Sequence, residues 1–423
     1  MESTNQKNYT LPIIMMVALF FMISFVTGLQ NPMGVIVKNQ FAASNFMSQL
    51  GNAANFIAYA FMGMPAGMLL QKIGYKKTAL AAIVVGFVGV AISYLSGQVG
   101  SYAVYLAGAF ISGFSMCMLN TVVNPMLNTL GGGGNKGNQL IQIAGSVNSI
   151  GATIVPVLVG YLMGDAAKAT INDASPALFL AMGIFAVVFV VLFAMEIPEP
   201  HMVKEEKSAT PDKHSAFSFR HFILGTIGIF IYVGVEVGIP NFMNLFATSD
   251  LGIDPTIAGS LVGTYWFLMM IGRLCGASIG AKVSSRTMLT SASTVGLIFI
   301  LIAIFAPTDV TVSMPVFLAS LSFGMVEVPV SIMFMALCGL CTSIMWGGIF
   351  NLAVEGLGKY TAAASGFFMV MVCGGGILPL IQGAVADAAG FQYSYFVVLL
   401  GLAYLLYYAL IGSRNVNKDI PVE

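Results

Sequence analysis

Twelve stretches of about twenty or more residues run through this chain almost without charge, and no motif limits the fold as much. They cover residues 11–33, 46–70, 77–97, 101–127, 138–163 and 176–196 in the first half. In the second half they cover 219–247, 256–280, 286–306, 331–352, 361–386 and 391–412. A helix rises about 1.5 Å per residue, so about twenty residues cross the hydrocarbon core of a bilayer. Of the 423 residues only 8% are charged and 58% are hydrophobic, whereas a soluble domain carries about 25% charged residues. That deficit excludes a soluble fold and predicts an all-α membrane protein of twelve spans. Acids and bases balance at 17 each, so no basic surface points to nucleic acid. The first run, from Leu11, is too long for the apolar core of a signal peptide and lacks a small-residue cleavage site at its end. It is expected to stay as a helix.

One strongly polar stretch, EIPEPHMVKEEKSATPDKHSAFSFRH, separates the two sets of six. The expected organisation is a six-helix unit over 1–197, a cytoplasmic linker over 198–218 and a second six-helix unit over 219–423. Basic residues collect in cytoplasmic loops. With both termini inside, Lys7, Lys72, Lys76, Lys77, Lys136, Lys204, Lys207, Lys213, Arg220, Lys282, Arg286, Lys359, Arg414 and Lys418 are all cytoplasmic. Only Lys38 and Lys168 fall outside, and Arg273 lies within a span. The apolar segment 307–329 would break this pattern as a span, so it is expected on the outer side, lying on the membrane surface.

The halves repeat each other. Gly151, Pro156 and Gly160 match Gly374, Pro379 and Gly383 with a shift of 223. Asn124, Leu130 and Gly131 match Asn351, Leu357 and Gly358, shifted by 227. Gly28 and Asn31 match Gly238 and Asn241, shifted by 210, and Gly63, Gly67 and Lys77 match Gly272, Gly276 and Arg286, shifted by 209. Four matches in one order point to two homologous six-helix bundles. Paired bundles of this kind rock about a substrate site near the midplane, which gives alternating access.

Other chemistries find little support. Cys117, Cys275, Cys338, Cys341 and Cys373 all sit in apolar runs, where a free cysteine behaves as a small hydrophobe. His201, His214 and His221 lie in or beside the polar stretch, which leaves no histidine deep in a span for a metal or a proton relay. The run GGGGNKGN, Gly131–Asn138, lacks the G-K-[ST] ending and the preceding strand of a phosphate loop. With no nucleophile–base pair, no metal set and no cofactor motif, an enzyme is not expected. A sensor that binds without transporting stays open.

Specific stretches resemble a known family. Gly67–Lys77, GMLLQKIGYKK, resembles the loop motif between the second and third helices of the major facilitator superfamily, with Gln71 where an acid is usual. FVTGLQNP (Phe25–Pro32), LNTVVNPMLNTLG (Leu119–Gly131), YVGVEVG (Tyr232–Gly238) and AVEGLGKYTAAASG (Ala353–Gly366) resemble its fucose/glucose/galactose permease branch. The resemblance implies a sugar symporter of a bacterial inner membrane and gives Gly67, Lys72, Gly74, Lys76 and Lys77 a gating or structural role. It also implies an acid in the first and the fourth helix, yet Asn31 and Asn120 hold those positions. An amide takes up no proton near neutral pH but hydrogen-bonds a sugar hydroxyl in both directions. Asn148 keeps a position associated with sugar contact, and Gly145 replaces the glutamine of fucose carriers.

The expected substrate residues are Asn31, Asn120, Asn124, Gln142, Asn148, Asn241, Trp346 and Asn351. A single amide in a span often serves only to bind helices together, but this set gathers on few helices. Pyranose C–H groups pack on aromatic faces, for which Trp346, Tyr265 and Trp266 are candidates; interfacial anchoring is the alternative. Glu236 is the expected ion-coupling group, because an ionisable residue inside a membrane is costly unless it functions. Arg273 is expected to close the cytoplasmic side. At about 1.5 Å per residue it lies about 10–15 Å from Glu236 in depth, too far for a pair. The function expected is cation-coupled import of a hexose-like sugar by a monomer, with a proton or a sodium ion as partner. An uncoupled facilitator and an exporter of another small polar solute remain alternatives.

Overall fold

The computed structural model describes residues 9–130, 134–163, 169–199, 214–279, 283–318, 320 and 322–422. Most of the interhalf linker, 200–213, lies outside them. Helices span Thr10–Gly28 with Gln30–Gln40, Leu50–Ile73, Tyr75–Val99, Tyr102–Leu130, Gly134–Met163 and Ser175–Ala194 in the first half. The second half has Arg220–Ser249, Pro255–Ile279, Ser285–Phe305, Val330–Thr342 with Met345–Val354, Thr361–Val370 with Gly374–Ala389, and Phe391–Tyr407. They are numbered below as the first to twelfth spans. Among the described residues eleven are long and apolar enough to cross a membrane, and in the fifth the stretch Ile143–Val155 is comparably apolar. The two ends of the molecule are called the linker end and the far end.

The first span is longer than expected, because QNPMGVIVKNQ continues it as helix as far as Gln40. The segment 307–329 contains two strands. Its strands β1 (Thr311–Phe317) and β2 (Phe323–Pro329) form an antiparallel hairpin with Thr311 opposite Pro329. Met314 and Val316 are buried while Thr311, Ser313 and Pro315 are exposed, the period-two pattern of a strand. The Phe317 N–H donates to Thr264 Oγ1 on the eighth span at 3.0 Å. Phe267 stacks on Phe317 at 6.0 Å and meets Phe323 edge-on at 5.0 Å. A strand edge near lipid needs its backbone donors satisfied, and the Thr264 hydroxyl satisfies this one.

The halves meet along two seams, fifth span against eighth and second against eleventh. Glycines set the second seam. A Cβ on Gly375 would lie 2.8 Å from the Phe56 ring, and one on Gly376 would lie 2.8 Å from the Ala53 carbonyl. Pro379 has no N–H, which frees the carbonyl of Gly375 four residues earlier. Asn52 of the other half donates to it at 2.9 Å.

More contacts close the far end. Asp387 accepts from the backbone N–H of Asn45 at 3.0 Å and of Phe46 at 3.1 Å. Lys38 donates to Ser249 at 3.0 Å and lies 5.1 Å from the centre of the Phe391 ring. Asp250, in the turn after the seventh span, has its carboxyl pushed up by burial, and Lys38 opposes that. Towards the linker the seam parts. A Cβ on Gly63 would touch Val370, but one on Gly67 would meet nothing within 4 Å. The fourth and tenth spans form no packed interface among the described residues. The halves are closed at the far end and diverge towards the linker.

Candidate functional site: a buried carboxylate–guanidinium pair between the halves

Glu236 and Arg273 form an ion pair, Nη2 to Oε1 at 3.3 Å, with side chains only 13% and 15% exposed. The sequence had placed them too far apart in depth, and the correction lies in side-chain direction. A helical side chain leans towards its own N-terminus. The seventh span begins at the linker end and the eighth begins at the far end. Glu236 therefore leans towards the linker and Arg273 away from it, so the two converge. Arg273 also reaches the other half. Its Nη1 donates to the Gly145 carbonyl and to Ser149 Oγ, both at 2.9 Å, on the fifth span of the other half.

The surroundings of the pair are fixed by a second proline. Pro240 cannot donate to the Glu236 carbonyl, and the Tyr265 hydroxyl does so at 3.1 Å. The same hydroxyl lies 3.0 Å from Thr342 Oγ1. The tenth helix breaks after Thr342, and its freed carbonyl accepts from the Tyr232 hydroxyl at 3.1 Å. Tyr232 and Tyr265 are fully buried, so Tyr265 is a bracing residue and not the exposed aromatic face the sequence suggested. Trp346 is half-buried, edge-on to Tyr232 at 6.3 Å and to Phe368 at 6.0 Å. Trp266 packs edge-on against Tyr265 at 5.2 Å.

The first-half amides form their own group. Asn120 donates to the Tyr59 hydroxyl at 3.0 Å and to the Met116 carbonyl at 3.1 Å. Asn124, one turn on, donates to the Asn120 carbonyl at 3.0 Å, and both are half-buried. Asn148 donates to the Phe20 carbonyl at 2.8 Å, tying the fifth span to the first. Asn241 stands apart: it donates to Gln49 at 3.0 Å, buried in the far-end closure. Asn351 is exposed on the linker-end part of the tenth span. The side chains of Asn31 and Gln142 lie outside the described residues.

Sequence reasoning passed over Gln49, Asn52, Asn55 and Tyr59. Their spacings of three, three and four put them on one face of the second span. Asn52 and Gln49 bond the other half, and Asn55 donates to the Ala109 carbonyl at 3.3 Å. Pro240 and Pro379 were the missed signal: each marks a carbonyl four residues back that needs a donor.

The loop motif is a clasp at the linker end. Glu199 accepts from the N–H of Tyr75 at 2.6 Å and of Lys76 at 3.1 Å, placing negative charge on a helix N-terminus. Lys76 Nζ donates to the Phe193 and Met195 carbonyls at 2.9 and 2.6 Å, where the sixth helix ends. Lys72 and Lys77 are exposed. Gly74 has φ +84, and a Cβ there would lie 2.7 Å from the Glu199 carboxylate. Gly74→Ala is expected to cost about 1–3 kcal/mol through backbone strain and the clash, read as a lower melting temperature in detergent. Glu199→Ala in the same chain should recover part of the loss; no recovery would remove the clash from the account.

Two six-helix bundles, closed against each other at one end and bridged near the middle by an arginine that also pairs with a buried acid of its own half, define a multi-pass membrane carrier of the alternating-access kind. The model of the Major Facilitator Superfamily matches residues 16–378, and the chain belongs to that family. A glucose/galactose transporter of Brucella abortus biovar 1 (strain 9-941) is 32% identical, with 98% of this chain and 97% of that protein covered. The L-fucose-proton symporter of Escherichia coli (strain K12) is 24% identical, over 92% and 90%. A crystal structure of the E. coli fucose:proton symporter superposes with a TM-score of 0.70 at 20% identity, over 97% of this chain and all of that one. The expected fold class, twelve helices in two pseudo-symmetric six-helix bundles, is the fold observed.

Proposed function

We propose that this protein carries a hexose-like monosaccharide across a bacterial inner membrane, with symport of a proton or sodium ion bound at Glu236. The glucose/galactose and fucose carriers among its relatives support the substrate class. The observation that carries the coupling reading is the Glu236–Arg273 pair with its reach to the fifth span. A carboxylate paired with an arginine that itself bonds the opposite half is sensitive both to a cation and to which end is closed. The amides Asn31, Asn120, Asn124, Gln142, Asn148 and Asn351 offer donors and acceptors for sugar hydroxyls, and Trp346 offers a ring face. Asn241 serves this reading less well, because its bond to Gln49 belongs to the far-end closure. The distribution of basic residues supports a cytoplasmic linker end and cytoplasmic termini, an orientation in which the closed far end faces outward. A monomer suffices for this scheme.

The test is uptake of labelled glucose, galactose and fucose into proteoliposomes under an imposed proton gradient and then a sodium gradient. Glu236→Gln runs beside the unmodified protein. One gradient should drive accumulation, which Glu236→Gln reduces to equilibration. A neutral charge pair would also suit an uncoupled facilitator. In that case both proteins equilibrate alike and neither gradient matters. If none of the sugars moves, the substrate class is wrong.

A further inference from the structure

The fifth span is the least apolar of the twelve, and Arg273 of the eighth span bonds directly to it. A guanidinium has five N–H donors. One of its nitrogens is given wholly to the opposite half, to the Gly145 carbonyl and to Ser149 Oγ at 2.9 Å each. The other reaches Glu236 of its own half at 3.3 Å. Ser149 is fully buried, and its hydroxyl donates back to the Gly145 carbonyl at 3.2 Å, which leaves its lone pairs turned to the arginine. Gly145 has no side chain to intervene, and a Cβ there would be in ordinary contact with Nη1 at 3.7 Å. A longer side chain at 145 would need the space the guanidinium occupies.

We infer that Ser149, with the Gly145 carbonyl, is the positioning partner of the coupling pair on the opposite half. It shares Arg273 with Glu236, so that cation binding at Glu236 and the packing of the eighth span on the fifth become linked. This rests on the reading of Glu236 as the ion-binding group. The guanidinium divides its donors between a charged carboxylate and a neutral serine–carbonyl site. When a cation neutralises Glu236, Nη2 loses its charged partner and the fifth-span site keeps its hold. When the halves rock and the fifth-span site withdraws, Arg273 falls back on Glu236 and competes with the cation. Linkage requires both effects to have one size. Among the described residues, the other titratable groups around Glu236 are Tyr232 on its own helix, Tyr265 on the eighth and, beyond Tyr265, Cys338 on the tenth. All are neutral near pH 7 when ordinary, so Arg273 is the charge that opposes the cation.

The experiment compares unmodified protein, Glu236→Gln, Ser149→Ala and Ser149→Thr in proteoliposomes. Uptake is followed against pH and sodium concentration, along with the accumulation ratio at a fixed gradient. Without the serine acceptor, Arg273 stays with the charged carboxylate and competes better. Half-maximal uptake by Ser149→Ala should therefore need about two- to tenfold more of the coupling cation, the worth of one net hydrogen bond, and the accumulation ratio should fall. Ser149→Thr keeps the hydroxyl and should restore both. Ser149→Cys, which keeps a weak acceptor of similar size, replaces Ser149→Ala should that variant fail to fold, and should shift the midpoint in the same sense. If Glu236→Gln is uncoupled but Ser149→Ala keeps the unmodified midpoint and ratio, the inference is overturned while the coupling reading stands. If Glu236→Gln accumulates sugar like the unmodified protein, the coupling reading itself fails and this inference goes with it.

Discussion

Arg273→Leu should be the most damaging single substitution at the site. It leaves Glu236 buried without its partner, and breaking a buried ion pair from one side costs about 3–5 kcal/mol. It also removes the bonds to Gly145 and Ser149 that tie the fifth span to the eighth. The melting temperature in detergent should fall by several degrees, and gradient-driven accumulation should vanish. Glu236→Leu combined with Arg273→Leu should recover most of the stability and none of the accumulation, because an apolar pair leaves no charge stranded but binds no cation. A double-mutant cycle reads the coupling directly. If Arg273→Leu proves as stable as the unmodified protein, the pair contributes nothing to the fold. If the double variant still accumulates sugar, the ion is bound elsewhere.

The second large effect is expected at the far end. The Asp387 carboxylate holds two backbone N–H groups of the opposite half, at the start of the short helix Asn45–Ser48. Charge-assisted hydrogen bonds are stronger than neutral ones, but this site is exposed to water. Asp387→Ala should favour opening of the far end by about 1–2 kcal/mol, roughly a tenfold change in the ratio of the two states. Asn52, Lys38 and the Asn241–Gln49 bond still hold the closure, so the effect is a shift in population and not a collapse. Spin labels at Val99 and Val310, exposed at 65% and 48% near the far ends of opposite halves, should report a new, longer distance. An unchanged distance distribution would mean that Asp387 is no strut of the closed end.

Both predictions concern contacts between elements far apart in the chain, and the sequence revealed their participants better than their partners. The spans, the repeat and the loop motif were legible because each follows from local composition and spacing. Glu236 stood out as an acid in an apolar run, and Arg273 as the sole base well inside a span. Their pairing was hidden because depth was counted along backbones, whereas side chains on antiparallel helices lean in opposite directions and close the gap. The hairpin at 311–329 was read only as an apolar segment, although its alternation was present. Asn241 was grouped with the substrate amides because it faces no visible partner in sequence; the structure gives it Gln49.

By itself the sequence determined that this chain lives in a bilayer as two related six-helix halves. Hydrophobic length and the cost of unpaired backbone in lipid allow little else. It also determined which carbonyls would lack a donor, since Pro240 and Pro379 remove the N–H groups those carbonyls need. Only the tertiary structure decided who would supply the donors: Tyr265 from a neighbouring helix for one, Asn52 from the other half for the other. It alone placed Arg273 between Glu236 and the fifth span. Such choices depend on helix tilt and on glycine-permitted close approach, which are set by packing across the whole molecule and leave no mark at a fixed spacing in the chain.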